Sequence, residues 1–336
     1  MTHDSSKPIG AITPEPTSGR SPARSFNLRS APLELRMLAL AIVIAVALSL
    51  LSPYFLKANN LLNLLDQSVV TGIVAIGMTF VILTGGIDLS VGSTAGLSGF
   101  TAALAMAAGW PVLAAIGVGL LTGAAVGLIN GAIVSYVGVT PFIVTLGMLG
   151  AAHGAVLVIK QGDSVRDIPH AFIQTANGSL FGLSVPVLIL IALAAFSHVV
   201  LNHTAFGRRV YAIGGNEEAT AFSGINTRAV KFLTYVICGL SAAVTGILFV
   251  ARFQSAQADA GRGMELDAIA ATVIGGTSLM GGEGTVLGVL LGATIMGVIR
   301  NGLVLLEVSS YWQELIIGGI IVLAAILDVV RSRKRK

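Results

Sequence analysis

Residues 89–159 read LSVGSTAGLSGFTAALAMAAGWPVLAAIGVGLLTGAAVGLINGAIVSYVGVTPFIVTLGMLGAAHGAVLVI, seventy-one positions without one Asp, Glu, Lys or Arg. That is too long for a single buried helix and long enough for three bilayer crossings at about 20 residues each. The rest of the chain agrees. Of 336 residues, 54% are apolar and 11% charged, against about 25% charged in soluble domains, and the mean hydropathy is +0.88. The charges crowd the ends: eight lie in residues 1–36 and five in 331–336. This excludes a set of soluble domains and predicts a polytopic membrane protein.

Membrane β-barrels alternate apolar and polar residues in short segments. Here the apolar runs are continuous and rich in Leu, Ala, Ile and Val, so the fold class is all-α. The forty-one glycines suit membrane helices, where small residues let backbones approach closely. The one cysteine, Cys238, excludes a disulfide framework and a cysteine-based metal site, and reads as a small core residue.

Apolar runs separated by polar breaks predict about ten transmembrane helices, near 36–55, 61–83, 88–108, 111–135, 140–160, 184–201, 229–251, 266–282, 284–306 and 311–330. Residues 1–35 read as a disordered cytoplasmic tail, 36–330 as the permeation domain and 331–336 as a basic cytoplasmic tail. An even number of spans puts both termini on one side. Fourteen Lys/Arg then fall on that side, four of them in the 202–230 region and its edge (Arg208, Arg209, Arg228, Lys231), against five on the other (Lys57, Lys160, Arg166, Arg252, Arg262). The positive-inside rule makes the termini cytoplasmic. The basic balance is therefore a topology signal and not one of nucleic-acid binding.

Two segments outside the spans are large enough to meet partners: 161–183 on the outside and 202–230 inside. In the second, Gly207-Arg208-Arg209 and Gly214-Gly215-Asn216-Glu217-Glu218-Ala219 flank a short amphipathic stretch, which predicts a helix lying across the membrane exit.

Gly77–Ser93 places Asp88 and several glycines between apolar runs. Membranes tolerate a broken helix where the backbone lines a cavity or is buried in protein. Asp88 is either a pathway residue or the N-cap of the third span. A second break, Ile274–Thr285, echoes its Gly-Gly pair. If spans 2–5 and 7–10 are duplicated units, their offset of five makes an inverted 5+5 repeat. Glycines four apart (Gly92, Gly96; Gly123, Gly127, Gly131; Gly284, Gly288, Gly292) make flat packing stripes.

Polar residues at membrane depth are functional candidates by default. Gln67, Asn301 and Gln313 are neutral donors and acceptors suited to an uncharged hydroxylated solute, and with Asp88 they form the expected translocation pathway. Interhelical hydrogen bonding is the alternative for each. Asp66 is an isolated acid at depth, as an ion-coupled transporter would need. Arg300 requires a partner such as Asp267, or a snorkelling path to water. Ser98 in a Gly-x-Ser-Gly sequence and His153 are the minimum for nucleophilic catalysis, an arrangement that resembles the rhomboid intramembrane proteases. No Gly-x4-Gly-Lys-Ser/Thr phosphate loop occurs, so any ATP that drives transport binds another chain.

Gly77–Ser93, Gly207–Gly224, Ala251–Gly284 with Glu265-Leu266-Asp267-Ala268-Ile269-Ala270-Ala271, and Asn301–Gln313 together resemble the permease subunits of bacterial ABC importers for monosaccharides, the ribose-type family. The resemblance runs in order from about residue 45 to 330. It implies a multi-pass inner-membrane subunit with no catalytic residue, cofactor or metal of its own. That subunit forms a pore with a second copy or a paralogue, receives sugar from a periplasmic binding protein, and is driven by a cytoplasmic ATPase that holds ATP and Mg. It places ATPase coupling on Arg208, Arg209, Gly214, Asn216, Glu217, Glu218, Ala219 and Gly224. Glu218-Ala219-Thr220 with Gly224 resembles the importers' Glu-Ala-Ala…Gly signature, Thr220 replacing the second Ala. On the outside, Arg252, Arg262 and Glu265 are the expected docking residues for the binding protein, lipid phosphate anchoring being the alternative for the arginines. An ion-coupled secondary transporter is the second reading of the whole chain.

Overall fold

The computed structural model describes residues 33–333; most of the N-terminal tail and half of the C-terminal tail expected from the sequence lie outside the described residues. Thirteen helices follow in order among them: α1 (Leu33–Leu51), α2 (Ala58–Leu83), α3 (Val91–Ala107), α4 (Val112–Ala132), α5 (Pro141–Lys160), α6 (His170–Ala176), α7 (Val185–His203), α8 (Ala205–Gly215), α9 (Glu217–Phe222), α10 (Thr227–Phe253), α11 (Met264–Ile274), α12 (Val286–Leu305) and α13 (Ser310–Arg333). α4 continues as one π-helical stretch, Ile133–Val137, before Gly138 turns the chain with φ +84°. Between α6 and α7 a two-stranded hairpin pairs β1 (Ser179–Leu180) with β2 (Leu183–Ser184).

Seven helices among the described residues (α1, α2, α4 with its π extension, α5, α7, α10, α12) are long and apolar enough to cross a membrane, and α3 and the apolar part of α13 are shorter. The chain is thus a predominantly helical, multi-pass membrane protein. Each apolar run predicted from the sequence holds a helix, with one revision. The run expected as a continuous span at 266–282 is the eleven-residue α11, only about 16 Å long at 1.5 Å per residue. It stops at Gly275 and continues as a glycine-rich loop. Gly276, Gly281 and Gly282 there take φ of +87°, +86° and +75°, which side chains with a Cβ strongly disfavour.

Burial divides the helices into a centre and a rim. The most apolar windows of α2, α10 and α12 are 78%, 67% and 61% buried, against 11% for α1 and 17% for α7; the rim presents its apolar faces to lipid. Packing in the centre runs in matched pairs. α2 packs on α12 as α10 packs on α4; α3 lies against α10 as α11 lies against α2; α3 contacts α5 as α11 contacts α13. Glycine makes these contacts close. Gly123, Gly127 and Gly131 of α4 sit on the backbone of Gly239, Tyr235 and Phe232 of α10, while Gly288 and Gly292 of α12 sit on the carbonyls of Gly275 and Ala271. The small-residue stripes therefore serve packing.

Polar side-chain pairs tie α12 to α11 and to α2. Arg300 of α12 donates to both carboxylate oxygens of Asp267 on α11 at 2.7 Å, so the arginine at depth has the partner its burial demands. Asn301 and Asn60, on α12 and α2, exchange amide hydrogen bonds at 3.0 and 2.8 Å. The ion pair is only partly shielded, with Arg300 38% exposed. Breaking it should therefore cost less than the ~3–5 kcal/mol of a fully buried pair. We expect Asp267→Leu alone to lower the thermal midpoint of the purified protein, and Asp267→Leu with Arg300→Met to recover most of that loss. Additive losses would show that the pair is not the operative contact.

Candidate coupling and translocation sites

The segment between α7 and α10 forms two capped helices. Thr204 accepts from the Gly207 amide at 3.2 Å to start α8, Asn216 accepts from Ala219 at 2.9 Å to start α9, and Asn226 accepts from Ala229 at 3.0 Å to start α10. Such N-caps answer the donors that a helix start leaves unpaired. α8 is amphipathic. Gly207, Val210 and Ile213 are buried, whereas Arg208 and Arg209 face outward. On α9 only Thr220 is buried; Glu217, Glu218 and Ala219 are exposed, as is Gly224 just beyond it. Glu217 is tied back to Lys231 of α10 at 3.0 Å, leaving Glu218 as the more available acid. Phe222 is 90% exposed. The sequence reading passed over it, although an aromatic among polar neighbours in an otherwise hydrophilic turn is a legible signal.

The inner face of α8 rests on both chain breaks. A Cβ on Gly214 would fall on the carbonyl oxygen of Leu83, the last residue of α2, and on the backbone of Gly281 and Gly282. Leu83 and Gly282 are themselves joined, the Gly282 amide donating to the Leu83 carbonyl at 3.0 Å. Tyr211, one turn before Gly214, donates its hydroxyl to the Gly284 carbonyl at 2.8 Å. Burial pushes the Tyr211 phenol up from its ordinary value, so it stays a donor at neutral pH. The same loop is held from two more sides. Asp328 of α13 accepts from the Leu279 amide at 3.1 Å, and Glu34 of α1 accepts from Thr285 at 3.2 Å.

Three of the four expected pathway residues are hydrogen-bonded to other groups of the protein. Asp88 is 2% exposed. Its Oδ1 accepts from the amide of Ser90 at 2.9 Å and from its hydroxyl at 2.6 Å, and Asn130 of α4 donates to that hydroxyl at 2.9 Å. The N-cap position of α3 belongs to Ser90. Asp88 lies two residues earlier and closes a turn, so the capping reading is corrected. Asn301 is engaged with Asn60, and Gln313 bonds the Val308 carbonyl at 2.8 Å. Gln67 is half-buried on α2.

Ser98 and His153 do not form a catalytic pair. The Ser98 hydroxyl is turned toward Gly123 of α4, whereas His153 Nε2 lies 3.8 Å from Asp259 Oδ1 in the loop between α10 and α11. That loop also holds Arg262, exposed and 4.0 Å from Asp259. Arg252 is exposed at the end of α10, and Glu265, half-buried in the first turn of α11, is directed at Gly92 of α3.

A centre of broken, glycine-packed helices with an amphipathic element seated under the breaks defines a transport permease. The family model described as branched-chain amino acid transport system / permease component matches residues 60–325, and the chain belongs to that family. It is 43% identical over 324 residues to the ribose import permease protein RbsC of Escherichia coli strain K12, covering 94% of this chain and 99% of that one. It is 40% identical over 295 residues to the D-allose transport system permease protein AlsC of the same strain, covering 88% and 90%. To the xylose transport system permease protein XylH the identity is 34% over 385 aligned positions, covering 95% and 96%. No solved structure matches the chain.

The contact at Gly214 makes a sharp comparison with its neighbour. Gly214→Ala forces a methyl group into packed backbone and should cost about 1–3 kcal/mol. Gly215, around which a Cβ meets nothing within 4 Å, should accept Ala with no loss and gain a few tenths of a kcal/mol or more from helix propensity. Thermal unfolding of the two purified variants checks this, and equal midpoints would exclude the tight junction.

Proposed function

We propose that the chain is the pore subunit of an ATP-driven ABC importer of the bacterial inner membrane, carrying a monosaccharide delivered by a periplasmic binding protein. The observation that supports it most is the two-faced element α8–α9. One face is apolar and lies on the ends of α2 and the 275–285 loop; the other offers Arg208, Arg209, Glu218 and Phe222 to a soluble partner. A partner ATPase that closes on nucleotide needs such a rigid part to push against, and the chain contains no phosphate loop. The relatives, an import permease for ribose and transport system permeases for D-allose and xylose, favour sugar over the amino acids of the family's description.

The finer architecture follows from the same reading. The chain crosses ten times, with the ends and the α8–α9 element in the cytoplasm, counting α3 and the short α11 as crossings completed by the loops that adjoin them. Spans 2–5 and 7–10 form an inverted repeat. In support, α2, α3, α4 and α5 pack as α10, α11, α12 and α13 do. The Gly-Gly echo that suggested the repeat is not its best landmark. Under this pairing the break before α3 corresponds to the loop before α11, each entering from an opposite side. The pore forms with a second copy or a paralogue. Arg252 and Arg262, both exposed at the periplasmic side, receive the binding protein, whereas Glu265 faces inward.

A stand-alone ion-coupled transporter would have no use for an exposed docking helix, and that difference supplies the test. Exposed aromatics at the centre of interfaces are worth about 2 kcal/mol or more. Phe222→Ala should therefore weaken association with the cognate ATPase by about tenfold or more, while the 90% exposed side chain leaves the thermal midpoint unchanged. Unaltered ATPase affinity, measured on detergent-purified proteins, would remove α9 from the coupling interface.

A further inference from the structure

Three of the cavities among the described residues differ in their lining. The one between α4, α6, α7 and α10, about 520 Å³, and the one between α1, α11, α12 and α13, about 280 Å³, are walled almost wholly by aliphatic and aromatic side chains. The third, about 190 Å³, is different. Ser93 of α3, His153 of α5, Arg262 of the loop between α10 and α11, and Glu265 of α11 all border it.

Its position follows from the packing of that loop. Ala256 belongs to the cluster around Phe100, Ala103 and Met106, in the C-terminal half of α3. Five residues later the Gly261 carbonyl rests on Gly92, and the Ala260 carbonyl rests on Gly96, in the first turns of α3. The chain therefore runs back along α3 by roughly 15 Å at 1.5 Å per helical residue before α11 begins. A re-entrant loop followed by a half-length helix is tolerated within a bilayer where it is buried in protein or lines a water-filled cavity, and discontinuous helices of this kind frame substrate sites near the midplane of many transporters. Gly92 and Gly96 seat the loop so tightly that the free space opens on the α5 side, where His153 stands.

We propose that this cavity is a translocation subsite for a neutral solute bearing adjacent hydroxyl groups, with Glu265 and His153 as its principal hydrogen-bond partners and Arg262 at its rim. The assignment rests on the reading of the chain as an importer subunit. A carboxylate can accept from two vicinal hydroxyls at once, and an imidazole nitrogen can add one further hydrogen bond. The balance of charge sets the solute's own charge: Glu265 and the flanking Asp259 oppose the single guanidinium of Arg262, so a phosphorylated sugar would be repelled. The volume is below the roughly 300–1,000 Å³ of sites for drug-sized ligands, which fits one monosaccharide and not an oligosaccharide.

The test is uptake of radiolabelled D-ribose by the complete importer, permease with its ATPase and binding protein, in liposomes. Glu265→Gln and His153→Ala should each lower the maximal uptake rate about tenfold, the effect of losing a hydrogen bond to a charged or strongly polar group. The half-saturating concentration of loaded binding protein and its stimulation of ATP hydrolysis should be retained. Wild-type uptake in both variants overturns the subsite. A defect confined to the half-saturating concentration also overturns it, in favour of a docking surface. If Glu265→Gln fails to assemble, the half-exposed His153 carries the test through His153→Asn, read in the same way. A wild-type complex that takes up none of ribose, allose and xylose overturns the importer reading itself, with the subsite falling as its consequence.

Discussion

Backbone lying against backbone is the contact on which this fold depends. A bilayer offers no water to satisfy an interrupted helix, so every chain break at depth must find its hydrogen-bond partners and its cover inside the protein. Here the cover is another stretch of main chain. The Leu83 carbonyl, freed at the end of α2, accepts from the Gly282 amide; Gly214 of α8 closes over both. On the other side of the molecule the carbonyls of Ala260 and Gly261 rest on Gly96 and Gly92. Each contact is possible because at least one partner has no side chain, which gives the many glycines of a chain otherwise built of helices their physical purpose.

On the proposed function, this arrangement joins the element that meets the ATPase to the centre of the bundle. α8 touches the end of α2 and the loop that precedes α12, and α2 and α12 are among the most buried helices of the centre. A displacement of α8 cannot be absorbed by a side-chain rotation at Gly214, since there is none to rotate. It is passed to Leu83 and Gly282 as movement of the main chain. Tyr211, Asp328 and Glu34 hold the 275–285 loop from three directions, so that loop moves with its surroundings.

Much of this was legible in the sequence because the bilayer imposes a simple rule on composition. The uncharged run from Leu89 to Ile159 demanded spans, the Arg208–Arg209 and Asn216–Glu218 pattern predicted a helix where the structure has two, and Arg300 demanded an acid or a path to water, of which Asp267 supplies the first. Individual polar side chains were harder to read. Asn301 looks the same in a sequence whether it meets a solute or meets Asn60, and the outcome depends on a partner 241 positions away. Asp88 ahead of Ser90 reads as a cap until the helix is seen to begin two residues later than that requires. The span at 266–282 failed for a related reason: hydropathy averages over a window, and the apolar residues of α11 with Leu279 and Met280 carry that window across a glycine loop that has no helical hydrogen-bond ladder. His153 and Glu265 were each noticed, yet nothing in their spacing of 112 positions announces that a re-entrant loop brings both to one cavity.

The junction at Gly214 also bears on how such a molecule can change. A contact made from main-chain atoms offers substitution almost nothing to adjust, since every alternative to glycine adds bulk in the same place. The cavity beside α3 is lined mainly by side chains, Leu149, His153, Arg262 and Glu265 among them, with Gly96 the position held by main-chain contact. On the proposed function, the machinery that drives the cycle and the surfaces that meet the cargo are thus written in different parts of the same polymer. A lineage of transporters can retune the second for a new solute while inheriting the first intact.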